Sequence, residues 1–196
     1  MCRRPIISMP ALGTFQQRNA ATAIRALETL DENLRPTPAT IEKALAAFTM
    51  PGRMELIPSR PRVVFDIAHN ADEANQLAEA LRTTFPQQPL TFVIAIGTSK
   101  DAAGILGPLF SFPARLIFTS FEVPGREAVK PEHLGAIAKQ AGKEYALFAE
   151  PNLALGFAYT SSPADGVIVV TGSTFIVSEL RSRTRPLPNI GLTSDT

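Results

Sequence analysis

Three short polar clusters in this 196-residue sequence carry side chains able to do chemistry, and each follows an apolar run of strand length. The first is Asp66, His69 and Asn70, directly after Val63-Val64-Phe65. A carboxylate at the end of a buried run must be paired, because an isolated buried charge is very costly. A ribose, a cation or a nearby backbone amide would serve. His69, four residues past the strand, is placed to donate to a phosphate or carboxylate. Asn70 fits a helix cap, with Glu73 three residues later. The second cluster is Gly97-Thr98-Ser99-Lys100-Asp101. It brings a mobile cation to the same kind of position and sets Asp101 where it favours a helix start. The third is Thr171-Gly172-Ser173-Thr174. Gly172 permits close backbone approach, and Ser173 offers a hydroxyl beside the free amides of a helix N-terminus, a natural seat for an anionic group such as a carboxylate.

Two further features lie upstream. Gln16 and Asn19 are one helical turn apart, and a carboxamide can pair with the exocyclic amine and ring nitrogen of adenine. Arg53, after Pro51-Gly52, offers a planar fork for a phosphate. Each feature has an ordinary alternative: a solvated helix face, a surface arginine, a polar turn or a serine cap. Recurrence gives them weight. In open α/β sheets ligands bind in the crevice beyond the carboxyl ends of strands, and three such ends here carry polar clusters.

Several chemistries are not indicated. No Gly-x-x-x-x-Gly-Lys-[Ser/Thr] occurs, so no loop cradles a triphosphate. There is no Gly-x-Ser-x-Gly elbow. The two histidines, His69 and His133, are too few and too separate to suggest a zinc site. A net charge of +1 gives no broad basic surface for nucleic acid. No apolar run is long enough for a bilayer, and none of signal-peptide length follows Arg3 and Arg4. Cys2 is the lone cysteine, which excludes an intrachain disulfide and makes a reducing cytoplasm the expected location.

The elements that must position these residues follow from periodicity. Residues 1–12 read as an extended lead-in with Ile6 and Ile7. A helix starts at Gly13-Thr14, with Thr14 and Gln17 spaced as a capping box and Ala20, Ala23, Ile24, Leu27 and Leu30 on its apolar face. A second helix runs from Thr37-Pro38 to about Phe48, with Pro at its first position. Pro51-Gly52 stops it. Strands then alternate with helices. Strands are expected at Met54–Ile57, Arg62–Phe65, Leu90–Ile96, Leu116–Thr119, Tyr145–Phe148 and Gly166–Val170. Helices are expected at Ala71–Phe85, Asp101–Phe110, Pro131–Ala141, Leu153–Thr160 and Thr174–Ser182. This alternation predicts an α/β fold: a mostly parallel, Rossmann-like sheet with helices on both faces, preceded by a helical hinge segment. The expected divisions are a helical lead-in over 1–50, a sheet domain over 51–184 and a loose tail over 185–196.

Taken together, Gly13–Ala20 (GTFQQRNA), Pro51–Ile57 (PGRMELI), Val63–Asn70 (VVFDIAHN), Ser99–Asp101 (SKD) and Val170–Arg181 (VTGSTFIVSELR) resemble the C-terminal portion of folylpolyglutamate synthase, including the bifunctional dihydrofolate synthase form. That family sits among the ATP-dependent ligases that include the muramyl-peptide ligases. Phe15 stands where the family often has His, and the loop at Gly97–Asp101 is shorter than the Asp-Lys-Asp loop of many bacterial members. The resemblance implies a ligase that transfers the γ-phosphate of ATP to a folate carboxylate, giving an acyl phosphate that the amine of L-glutamate attacks. It implies that Asn19, Arg53 and Asp66 contact ATP, that His69 and Ser173 hold the glutamate and the reacting phosphate, and that His69 and Lys100 assist the chemistry. Magnesium ligands and the phosphate loop would belong to the chain's own N-terminal ATPase domain, with residues 1–50 as that domain's end and hinge. The expected partners are therefore L-glutamate, folate and that domain, with no nucleic acid and no membrane. The chain is expected to be a monomer and to be inactive alone. The alternatives are a stand-alone, non-catalytic nucleotide or amino-acid-binding module, and another amide ligase of the muramyl-peptide ligase group.

Overall fold

The computed structural model describes residues 9, 10 and 12–184. Most of the expected lead-in, including Cys2, Ile6 and Ile7, and the whole tail over 185–196 lie outside the described residues. Two helices come first, α1 (Thr14–Glu28) and α2 (Pro38–Ala46). The remaining elements are β1 (Glu55–Ile57), β2 (Arg62–Phe65), α3 (Ala71–Thr84), β3 (Leu90–Ile94), α4 (Ala102–Phe110), β4 (Arg115–Phe118), α5 (Pro131–Gln140), β5 (Tyr145–Leu147), α6 (Pro151–Ser161), β6 (Val167–Thr171) and α7 (Thr174–Thr184).

The six strands form one sheet in the order β1-β2-β6-β3-β4-β5. Only β1 runs antiparallel, against β2. The other pairings are parallel. Side chains alternate across the sheet, as the period of two requires. Val64, Phe92, Ile94, Leu116, Phe118, Val167 and Val169 face one core, which α3, α4 and α5 cover. Val63, Phe65, Val93, Ile117, Ile168 and Val170 face the other, which α6 and α7 cover. Every residue of β3 and β6 is buried. That explains why these strands read as unbroken apolar runs. Each large apolar side chain so buried contributes about 1.5–3 kcal/mol relative to exposure.

The placement of β6 matters most for the site. The chain travels outward through β3, β4 and β5, then returns to insert β6 between β2 and β3. Helices α3 and α4, which follow β2 and β3, leave on one face, while α7, which follows β6, leaves on the other. Divergence of connections to opposite faces opens a crevice at the carboxyl ends of these three neighbours.

Most boundaries fall within one residue of expectation, and the larger differences have local causes. β3 ends at Ile94 rather than Ile96, although Ala95 and Ile96 stay fully buried. Ala95 N donates to Thr171 O, but Ile96 O accepts from Val129 N, so the extended chain leaves the ladder for a loop. Helix α6 begins earlier, with Pro151 at its first turn. Thr14 is not the cap of α1. Gly13 holds that position with φ 94°, and no side chain caps it, while the Thr14 hydroxyl lies 3.4 Å from Glu79. The apolar face of α1 is also less buried than its spacing suggested. Ala23 and Leu30 are exposed and Ile24 and Leu27 half-buried. Phe15 packs against the main core, so the helix is seated by its first turn.

A candidate cleft at the strand ends

His69 beyond β2, Lys100 beyond β3 and Ser173 beyond β6 line one cleft of about 640 Å³. Loop 97–100, the β4–α5 loop at Gly125-Arg126-Glu127 and the start of α7 complete its walls. Phe121 and Phe175 form an apolar side, with ring centroids 5.1 Å apart.

Each wall is held by main-chain geometry. Gly172 adopts φ 99°, and a Cβ there would come within 2.7 Å of Ala95 O, so the approach of β6 to β3 requires glycine. Gly172 N donates to Ala68 O, tying the β6 end to the β2 end. Ser173 is nearly buried, and its Oγ accepts from Phe175 N at 3.1 Å. It is a serine cap, and it leaves the hydroxyl hydrogen free to donate beside the first amides of α7. Asp101 caps α4 by accepting from Gly104 N, which leaves Lys100 on the cleft side. Among the described residues neither Lys100 nor Arg126 is paired with a carboxylate. Two unpaired cations beside a helix N-terminus make the cleft attractive to carboxylates.

His69 is half-buried, and its ring is fixed at one end. Nδ1 lies 3.0 Å from both Ile67 O and Glu73 Oε2. The His69 main-chain N donates to the same Glu73 oxygen. Asn70 caps α3 by accepting from Glu73 N at 2.9 Å.

Asp66 and Arg53 stand apart from that cleft. The Asp66 side chain is 2% exposed. Its Oδ2 accepts from Met54 N and its Oδ1 from Ala68 N, each at 2.9 Å. Burial pushes its carboxyl up to about 6, against the pull of those two amides and of Arg53. Met54 has φ 48°, unusual for a residue with a side chain. Asp66 therefore clamps a strained loop, Pro51-Gly52-Arg53-Met54, whose Gly52 O also accepts from Ile67 N. Of the partners open to Asp66, the fold supplies backbone. Arg53, on that loop, pairs with Glu73 Oε1 at 3.3 Å. It faces a separate groove of about 450 Å³ shared with Leu12, Phe48, Met50 and Arg181. Asn19 is exposed on α1, whereas Gln16 is buried with no partner for Nε2 among the described residues. The two do not share a surface, because burial fades along the helix past its first turn.

Two residues of the site escaped sequence reasoning. Arg126 lies on the loop after β4, a fourth strand end to which the same rule applies. That loop is strapped to loop 97–100 through Thr98 N to Glu127 O and the Gly97–Ala128 bridge. Glu73 was legible only as a helix-start residue, yet it contacts both His69 and Arg53.

Comparison with known proteins agrees with this fold. A folylpolyglutamate synthase from Lacticaseibacillus casei is 33% identical over 89% of the chain and 40% of its own length. A dihydrofolate synthase/folylpolyglutamate synthase from Bacillus subtilis is 26% identical over 88% of the chain and 40% of its own length. The chain thus spans about two fifths of these curated relatives. Among solved structures, a Mycobacterium tuberculosis folylpolyglutamate synthase complexed with ADP and AMPPCP superposes with TM-score 0.79 at 26% identity, over 93% of this chain and 42% of that one. Escherichia coli FolC, complexed with DHPP and ADP, gives TM-score 0.76 at 26% identity, over 93% of this chain and 41% of that one. The family model described as dihydrofolate synthetase, C-terminal domain, matches residues 54–183, from the clamped Met54 through the sheet and most of α7, and the chain belongs to that family.

Proposed function

We propose that this chain is the glutamate-binding part of an ATP-dependent ligase that adds L-glutamate to a folate. The observation that carries the reading is the convergence of His69, Lys100 and Ser173 on one cleft from three adjacent strand ends. L-Glutamate carries two carboxylates and one ammonium. Lys100 and Arg126 would take one carboxylate, and Ser173 with the first amides of α7 the other. His69 would face the amine and the reacting phosphate. The names of the relatives, folylpolyglutamate and dihydrofolate synthases, support glutamate and folate as substrates. The nucleotides bound by the Mycobacterium tuberculosis and Escherichia coli proteins support ATP.

ATP belongs on the other groove in this proposal. Arg53 presents a partly exposed guanidinium there, Asn19 an exposed carboxamide on α1, and Asp66 sets the Arg53 loop from beneath. Among the described residues no group of three or more His, Cys, Asp or Glu is placed to hold a metal ion. Magnesium is therefore assigned to an N-terminal ATPase domain, and no step here is routed through it. That domain is the proposed partner of α1 and α2 within 1–50, with 51–184 as the ligase's C-terminal unit. No helix among the described residues is long and apolar enough to cross a membrane. A monomer in the cytoplasm remains our proposal for the assembled protein.

Amide chemical shifts of the labelled chain during an L-glutamate titration test the reading. Shifts are expected around His69, Lys100, Arg126 and Ser173, with weaker responses to L-aspartate. Arg126→Ala should weaken binding about tenfold or more, the scale of one charge-assisted hydrogen bond, with little change in stability because Arg126 is exposed. Shifts confined to another surface, or binding indifferent to Arg126→Ala and Ser173→Ala together, would refute it.

A further inference from the structure

Glu73 sits in the first turn of α3, where an acidic residue ordinarily needs no role beyond favouring the helix N-terminus. Here its carboxylate, about one fifth exposed, accepts from Arg53 Nη2 and His69 N and lies 3.0 Å from His69 Nδ1. Nδ1 also lies 3.0 Å from Ile67 O. Neither a carbonyl oxygen nor an ionised carboxylate has a proton to give. In a neutral imidazole only one nitrogen carries hydrogen, so the two acceptors around Nδ1 fix it there. Nε2 is left with its lone pair, on a ring that lines the cleft.

We infer that Glu73 is a positioning residue for the cleft: beside Ile67 O it helps hold His69 in the Nδ1–H form and so presents a hydrogen-bond acceptor, Nε2, to the ligand. This changes what His69 does when neutral. A ring free to choose its tautomer could donate to a phosphate or carboxylate. This ring accepts, and the matching ligand group is an N–H donor such as the ammonium of an amino acid. The cleft then divides by chemistry, with Lys100, Arg126 and the α7 amides for carboxylates and Nε2 for the amine. The same carboxylate anchors Arg53, so one side chain sets the orientation of a group in each of the two grooves. The identity of the ligand rests on the function proposed above; the tautomer does not.

Imidazole nitrogen shifts test the inference on the full chain. His69 and His133 are the only histidines, so His133→Gln assigns both. With the rings neutral, His69 should show the Nδ1–H pattern. Glu73→Ala should move it toward an Nε2–H mixture, leave His133 unchanged and weaken L-glutamate binding about tenfold. The cap on α3 should survive, because Asn70 accepts from the Glu73 main chain. Glu73→Gln, whose carboxamide oxygen can accept from Nδ1–H, should restore the tautomer and stands in if the alanine variant folds poorly. An Nε2–H pattern in the unmodified chain would overturn the proposal, as would a His69 tautomer unchanged by Glu73→Ala. A Glu73-dependent Nδ1–H ring with no response to L-glutamate would support the positioning role and remove the assigned ligand.

Discussion

Asp66 shows how one buried carboxylate links a loop to a sheet. Its folded-state carboxyl is held at about 6 against an ordinary 3.8, so the folded chain binds that proton more tightly than the unfolded chain. The resulting stability is fully present below about pH 3.8 and is lost as pH rises through about 6. The span corresponds to about 3 kcal/mol at most. Urea unfolding of the chain against Asp66→Asn, across mildly acidic to neutral pH, should show this falling segment in the first and its absence in the second. Parallel curves would remove the role given to burial. The asparagine variant should also be weaker at low pH, since one of the Met54 and Ala68 amides loses its acceptor, at about 1–3 kcal/mol. Asp66 needed a partner on sequence grounds alone. Which partner it has was not legible, because that depends on Met54 turning to φ 48° twelve residues upstream. Glu73 shows the same limit. Its spacing from Asn70 announces a helix start, but its contact with Arg53 exists only after the loop before β1 folds back.

Among the elements, β6 and the turn behind it hold the cleft together. The fully buried run Val167–Thr171 was readable as a strand from composition, and the alternation with helices gave the parallel sheet. Its insertion between β2 and β3 was not readable, since period and propensity say nothing about strand order. Yet that order brings His69, Lys100 and Ser173 to adjacent positions. Gly172 carries the consequence. Gly172→Ala would place a Cβ 2.7 Å from Ala95 O at φ 99°, so the backbone must shift. The expected cost is at least about 2 kcal/mol from left-handed strain and overpacking, read as a lower urea midpoint. Glutamate-induced shifts at Ser173 should shrink as well, because the α7 start moves with the turn. Equal stability in the alanine variant would show that β6 and β3 are not as tightly abutted as the contact implies.

At the level of the whole molecule, burial is uneven along the chain, and this predicts where it opens. The central strands are sealed on both faces. By contrast, α2 has no buried residue and α1 has only Gln16. Helices of 15 and 9 residues with so little buried surface gain little from packing, and isolated helices of that length are marginal in water. Their apolar spacing in the sequence was real, but the surface it would pack against is not supplied by the sheet. Amide exchange should therefore be fast over α2 and over α1 beyond its first turn, and slow over β2, β3 and β6, with a difference approaching the global stability. Adding the ATPase half of a relative should protect α1 and α2 selectively if that half is what their exposed faces meet. Exchange in α2 as slow as in α3 would show that the lead-in belongs to the same cooperative unit as the sheet. It would then remove the physical ground for treating residues 1–50 as a separate hinge.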